Sequence, residues 1–266
     1  MAMNTKKIIF AVVIVLLVAA FGISAFMVGN YMVESKKNEE LKEQFAVTTP
    51  TIPATSDPVA TTEAATTEPE EVTEATMIPA YQEKYELNDD IVGYVHLLSA
   101  GRSYPVMQTP DDPNYYLYRN EQKADSKFGA IYAWSEADVN EPSDNITLFG
   151  HNMADGSMFA SLNAYTSKYA WDTNPLIGFD TLYEYHTYKI YAVFKTSANI
   201  GEGFSYHKFV DAANEQEFND FVKKCKELSF YDTGITPVYG DKLIALSTCE
   251  YTLNNGRLVV CAVRVT

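Results

Sequence analysis

Three hydrophobic rhythms divide the chain. From Ile8 to Val33 no charged side chain interrupts a run of mostly Val, Ile, Leu, Ala and Phe. Such a helix would be about 39 Å long, more than the roughly 30 Å hydrocarbon thickness of a bilayer. Lys6 and Lys7 precede it, and basic flanks favour the cytoplasmic side. The pattern therefore predicts an uncleaved anchor over residues 1–34, with its N-terminus in the cytoplasm and everything after Glu34 outside the cell. A cleaved signal peptide would carry a shorter apolar region, about 7–15 residues.

The second rhythm is an absence of one. Residues 47–77 are rich in Thr, Pro, Glu and Ala and contain no aromatic side chain. A stretch of this kind buries too little apolar surface to offset chain entropy. Residues 35–80 are read as a disordered stalk, helical near "KKNEELKEQ".

The third begins at Tyr81 and runs through residues 81–266. Eight short runs rich in β-branched and aromatic residues are separated by Gly, Pro, Asn and Asp: residues 91–97, 103–107, 129–133, 145–149, 179–185, 188–196, 242–248 and 257–265. Many short strands favour a mainly β domain, a closed barrel or a sandwich. One helix is well marked in "NEQEFNDFVKKCKEL". Phe218, Phe221, Val222 and Cys225 fall on one face, and Asn214 followed by Glu217 resembles a capping box. A second, short helix is expected from Ser157 through "SMFASLNAY".

Composition adds limits. The net charge is −15. Residues 34–80 account for −7 of it, and an acidic balance argues against nucleic acid as a partner. The three cysteines show no metal-ligand spacing, so neither a metal nor a cofactor is expected.

Chemistry narrows to a few side chains. Cys225 on the helix face and Cys261 among valines are most simply buried small hydrophobes. Cys249 differs, because it ends a strand ahead of Glu250 and the polar turn "TLNNG". A thiol nucleophile needs a cationic neighbour to favour the thiolate and a proton donor for the leaving group. Of four histidines, His151 is best placed, leaving a strand through a glycine into a polar loop. His96, His186 and His207 are read as packed or surface residues. Arg257 opens the last strand. If the flanking strands pair, its guanidinium shares a rim with Cys249 and is suited to an oxyanion.

Three segments together resemble the sortase family. "LSTC" (246–249) is similar to the signature that ends in the nucleophile, with Arg257 following. "LFGHNMADGSMF" (148–159) resembles the class B form of the histidine segment. "DIVGYVHLLSAGRSYPVMQTPDDPNYYLYRN" (90–120) is similar to the start of a class B catalytic domain, and the helix-bearing insertion before residue 242 fits that class too. The resemblance spans Tyr81 to Val265. There are departures: Ala245 replaces the usual Thr, Tyr94 stands where many relatives carry Trp, and Tyr251 excludes an Asp-based triad at that position. No apolar segment follows Val265, unlike pilin-polymerising sortases.

The resemblance implies an eight-stranded barrel with peripheral helices. It implies a membrane-anchored cysteine transpeptidase of a Gram-positive surface. Its substrates would be secreted proteins with a C-terminal sorting motif, and its acceptor a peptidoglycan cross-bridge amine. Cys249 would be nucleophile, His151 proton donor and Arg257 oxyanion ligand. Ser247, Glu250, Phe149, Asn114, Leu117 and Tyr206 would contact substrate. A peptidase or pilin polymerase on the same barrel, or a stalked binding module without catalysis, are the alternatives.

Overall fold

The computed structural model describes residues 5–47 and 76–266. The middle of the expected stalk, residues 48–75, lies outside the described residues. The chain divides into two compact units, Met1–Gln44 and Phe45–Thr266. The first unit is helix α1, Thr5–Gln44. It is long and apolar enough to cross a membrane, with a mean hydropathy of 2.9 in its apolar window. The helix continues through the polar "KKNEELKEQ" stretch, where Lys36–Glu40 and Lys42–Glu39 pair along one face.

The second unit opens with α2 (Pro79–Tyr85) and is built on eight strands. These are β1 (Ile91–Leu97), β2 (Arg102–Met107), β3 (Ile131–Ala133), β4 (Asn145–Phe149), β5 (Leu176–Thr181), β6 (Thr187–Ser197), β7 (Leu243–Glu250) and β8 (Gly256–Arg264). Hydrogen bonding closes them in the order β1-β2-β3-β4-β7-β8-β6-β5. The β2–β3 and β4–β7 joins are parallel and the others antiparallel. Closure leaves no exposed edge to recruit another chain. The expected eight-stranded barrel is the observed fold.

A helix covers one side of the barrel. α4 (Glu215–Leu228), which follows the short α3 (Lys168–Thr173), lays Phe218, Phe221, Val222 and Cys225 against Tyr191, Phe194, Cys261 and Val263. The strands beneath it are buried on both faces, so β6 and β8 read as near-continuous apolar runs. The Asn214 side chain caps α4 by accepting from the Glu217 N–H at 3.1 Å. Glu217 returns a bond to the N–H of Ala213 at 2.8 Å, one residue before a capping box would place it.

Two expectations shift. The fifth strand covers Leu176–Thr181, rather than 179–185. The Thr181 hydroxyl accepts from the N–H groups of Tyr183 (3.1 Å) and Glu184 (2.9 Å), which turns the chain out of the sheet. The aromatic alternation of 182–185 therefore belongs to a turn. The helix expected from Ser157 is a 3-10 run, Phe159–Thr166, leading into α3.

His96 has a packing role. Its ring bridges Ser103 Oγ (2.7 Å) and Asp180 Oδ2 (2.8 Å), and Tyr81 donates to the same carboxylate. Tyr81 also stacks on Tyr94 at 4.5 Å, which fixes α2 to β1 and β5.

Candidate active site

The site forms where β4 and β7 end side by side. Their parallel register pairs Phe149 with Ser247. Beyond it, the two strand exits are tied by three further bonds. Gly150 N–H donates to Ser247 O (3.1 Å), and the Thr248 hydroxyl donates to Gly150 O (2.8 Å). The Asn152 amide donates to Cys249 O (2.9 Å). Glycine at 150 makes room for this approach: a Cβ would stand 2.4 Å from Ile131 Cδ1 and 2.8 Å from the Phe159 ring, and both side chains would have to shift. These contacts set the segment carrying His151 against the segment carrying Cys249.

His151 is held at its far nitrogen. Nε2 lies 2.7 Å from the carbonyl oxygen of Leu117, in the 3-10 turn Tyr115–Leu117. A carbonyl only accepts, so Nε2 carries the hydrogen and Nδ1 is the nitrogen left for chemistry. The Tyr118 ring packs 6.1 Å from the imidazole.

Cys249 and Arg257 are cross-strand partners in the β7–β8 ladder. Directly opposed residues of an antiparallel pair project to the same face. Cys249 is half-buried, whereas Cys225 and Cys261 are buried, and all three are free thiols. The Arg257 guanidinium turns back on the β7–β8 turn and donates to Gly256 O (2.9 Å) and Asn255 Oδ1 (3.1 Å).

A cavity of about 350 Å³ joins these groups. Cys249, His151 and Arg257 line it, together with Asn114, Leu117, Phe149, Tyr206 and Ser247. Eight of the nine residues singled out in the sequence thus share one cavity. Tyr206 and Ser247 are joined hydroxyl to hydroxyl at 2.5 Å. A larger cavity of about 700 Å³ lies between α4 and the segment after it, but holds none of these residues.

Glu250 departs from expectation. Its side chain does not line the cavity; it pairs with Lys195 (2.7 Å) and accepts from the N–H groups of Thr252 and Leu253. Burial opposes its ionisation, yet the ammonium and the turn N–H groups outweigh that and hold the carboxyl down at about 2. The side chain shapes the turn between Cys249 and Arg257. Leu117 also acts differently, since its backbone oxygen touches His151 as well as its residue lining the cavity.

His207, expected as a packed or surface residue, is packed, and its place in the site has no sequence signal. The ring lines the same cavity, 5.0 Å from Trp134 and 6.3 Å from Phe149, edge to face with both. Burial lowers its pKa, aided by Lys208 and Arg257 and opposed by Glu136. Burial also raises the phenols of Tyr132 and Tyr206 to about 12, so both stay neutral.

A closed barrel with a cysteine, a histidine and an arginine around one cleft defines a cysteine transpeptidase of the sortase type. The sequence model of the sortase domain matches residues 99–265, and the chain belongs to the sortase family. Sortase B of Listeria monocytogenes is 30% identical over 178 residues, 66% of this chain and 70% of that protein. Sortase B of Staphylococcus aureus is 25% identical over 186 residues, 69% of this chain and 74% of that protein. Among solved structures, one from Bacillus anthracis described as similar to sortase B is 30% identical, with a TM-score of 0.65 over 74% of this chain and 87% of that one. A Staphylococcus aureus sortase B–substrate complex is 25% identical, again with a TM-score of 0.65, over 71% of this chain and 86% of that one. The class B resemblance of the sequence holds.

Proposed function

We propose that this chain is anchored in the membrane by residues 1–34 and raised on a stalk, residues 35–80. Residues 81–266 then join secreted proteins to a cell-wall amine. In this reading the N-terminus is cytoplasmic and the catalytic unit extracellular, which the Lys6–Lys7 flank of the apolar helix supports. The observation that carries the chemistry is the single cavity lined by Cys249, His151 and Arg257.

The Cys249 thiolate attacks the carbonyl of a threonine in a C-terminal sorting motif. Arg257 exchanges its turn acceptors for the oxyanion, a donor aimed at charge that develops only in the transition state. His151 protonates the leaving amine through Nδ1. A thioester remains, and a peptidoglycan cross-bridge amine attacks it, forming an amide and releasing the sulfur. Covalent catalysis divides one difficult amide exchange into two easier steps. The apolar wall of Phe149 and the polar pair Tyr206–Ser247 suit an extended peptide, with Asn114 and Leu117 in the same lining as further contacts.

The test uses the full chain in detergent micelles and a library of internally quenched pentapeptides varied around a threonine. Mass spectrometry of the quenched reaction should find the acyl adduct on Cys249, and Cys249→Ala should abolish it. An adduct on Cys225 or Cys261, or turnover that survives Cys249→Ala, would overturn the assignment. Amide product on adding triglycine separates transpeptidation from simple hydrolysis.

A further inference from the structure

The second half-reaction has a proton balance that His151 does not close alone. An incoming amine is an ammonium near neutral pH, and it must shed two protons to become an amide nitrogen. His151 has one nitrogen available, because Nε2 is committed to Leu117 O. That nitrogen takes one proton and so restores the imidazolium that began the cycle. The other proton passes to water, either directly or through a second acceptor in the cavity that speeds its removal.

The cavity offers few. Its titratable lining consists of His151, His207, Lys208, Cys249, Arg257, Tyr132 and Tyr206 among the described residues. Lysine and arginine side chains are ordinarily protonated near neutrality and cannot accept. The two phenols stay protonated as well, since burial pushes them to about 12. Cys249 carries the acyl group at this stage. His207 remains.

We infer that His207 is the general base that takes the first proton from the incoming ammonium. The inference rests on the transpeptidation reading above. Its ring is fixed edge-on by Trp134 (5.0 Å), Tyr206 (5.5 Å) and Phe149 (6.3 Å), in the wall of the cavity that holds Cys249. The charged groups that face it are Lys208 on its own turn, Glu136 after β3 and Arg257 on β8. Burial, Lys208 and Arg257 disfavour its cation and Glu136 favours it, with a net lowering of its pKa. The imidazole is therefore neutral, and able to accept, at the pH where the amine still needs deprotonation.

The step balances as follows. The ammonium gives one proton to His207, and the freed nitrogen lone pair attacks the thioester carbonyl carbon. The tetrahedral intermediate passes its second proton to His151 Nδ1. The C–S bond then breaks, with the electron pair leaving on sulfur. The products are the amide, the Cys249 thiolate and the His151 imidazolium. His207 returns its proton to water.

The test compares two nucleophiles on one acyl-enzyme, formed by the full chain in detergent with the quenched pentapeptide that acylates Cys249 fastest. Triglycine is protonated near neutral pH, whereas hydroxylamine is not; it has one proton to lose, which His151 takes, and needs no second base. In His207→Gln and His207→Phe, acyl-enzyme formation and hydroxylamine capture should stay within about 3-fold of the parent, and triglycine capture should fall about 100-fold. The parent triglycine rate should also lose an acidic-side limb of its pH profile in both variants. Equal loss for both nucleophiles, no loss for triglycine, or loss of acyl-enzyme formation in both variants would overturn the role. Failure of the parent itself to form an acyl-enzyme would overturn the transpeptidase chemistry instead.

Discussion

The Nε2 of His151 lies 2.7 Å from the backbone carbonyl oxygen of Leu117. Because the acceptor is a main-chain atom, no side-chain substitution at 117 removes it. The bond selects the Nε2–H tautomer of the neutral ring and leaves Nδ1 for the substrate. Nitrogen-15 NMR of the imidazole should report Nε2 protonated and Nδ1 bare once the ring is neutral. His151→Ala should lower acyl-enzyme formation by about 1,000-fold. A ring found as the Nδ1–H tautomer would make Nε2, beside Leu117 O, the nitrogen that gains and loses the proton, and would overturn Nδ1 as the acid.

Arg257 faces Cys249 across the ladder, but its guanidinium rests on the carbonyl of Gly256 and on Asn255. The Asn255 contact is exposed and the Gly256 contact part-buried, so giving both up for a charged acceptor in the cavity costs little beside what the oxyanion returns. Arg257→Lys keeps the charge but loses the planar fork that can bridge an oxyanion. It should lower kcat by about 100-fold while leaving thermal stability close to the parent. A stability loss as large as the activity loss would assign Arg257 to the turn rather than to the reaction.

The barrel was readable in advance because burial alternates with punctuation. Seven of the eight apolar runs coincide closely with strands, and Gly, Asn and Asp mark their ends. The fifth run misled, because a threonine hydroxyl satisfying two N–H groups can end a strand while aromatic residues continue beyond it. The three residues proposed for catalysis stood out because His151 and Cys249 lie at strand exits and Arg257 at a strand start, and resemblance to a family sharpened the choice. The Leu117 carbonyl was hidden, since a backbone oxygen leaves no trace in residue identity. The family resemblance implies that Glu250 contacts substrate, but its side chain leaves the strand on the face away from that of Cys249 and binds Lys195 and the turn. His207 looked like a loop histidine because nothing local announces that Trp134 and Phe149, more than 50 residues earlier, meet it in space.

Asn152 fastens the histidine segment to the carbonyl of Cys249, and Tyr251 donates to Asn152 O at 3.2 Å. Asn152→Ala should therefore misplace His151 relative to Cys249. The expected result is a fall in kcat of about 10-fold with KM little changed. Stability should fall by only about 1 kcal/mol, since the lost bond is partly exposed. A change confined to KM would point to substrate contact instead of positioning.

Glu250 makes the turn's stability depend on pH. The folded carboxyl titrates at about 2, below its ordinary value of 4.5. At pH values between these two the unfolded chain binds more protons than the folded one, so stability drops as pH falls through that window. Above pH 5 the Lys195 pair and the turn bonds contribute fully. Glu250→Gln should cost about 2 kcal/mol near pH 7 in urea unfolding, and the difference from the parent should shrink as pH falls toward 2. A pH-independent difference would mean that packing, not ionisation, accounts for the loss.

The three cysteines should separate kinetically under alkylation. Cys249 is half-buried in the lining of a cavity, whereas Cys225 on the inner face of α4 is 0% exposed and Cys261 beneath that helix 1%. Cys261 is also held as a thiol: burial, then hydrogen bonding to Cys225, raise its pKa. Alkylation requires the thiolate and an approach path, and the two buried thiols lack the path until α4 lifts from the barrel. Iodoacetamide should therefore label Cys249 alone in the folded full chain, with labelling at Cys225 and Cys261 appearing together on adding denaturant. Peptide mapping after timed exposure checks this directly. Native labelling at Cys225 would show that α4 opens locally from β6, β7 and β8 while the rest of the barrel stays folded.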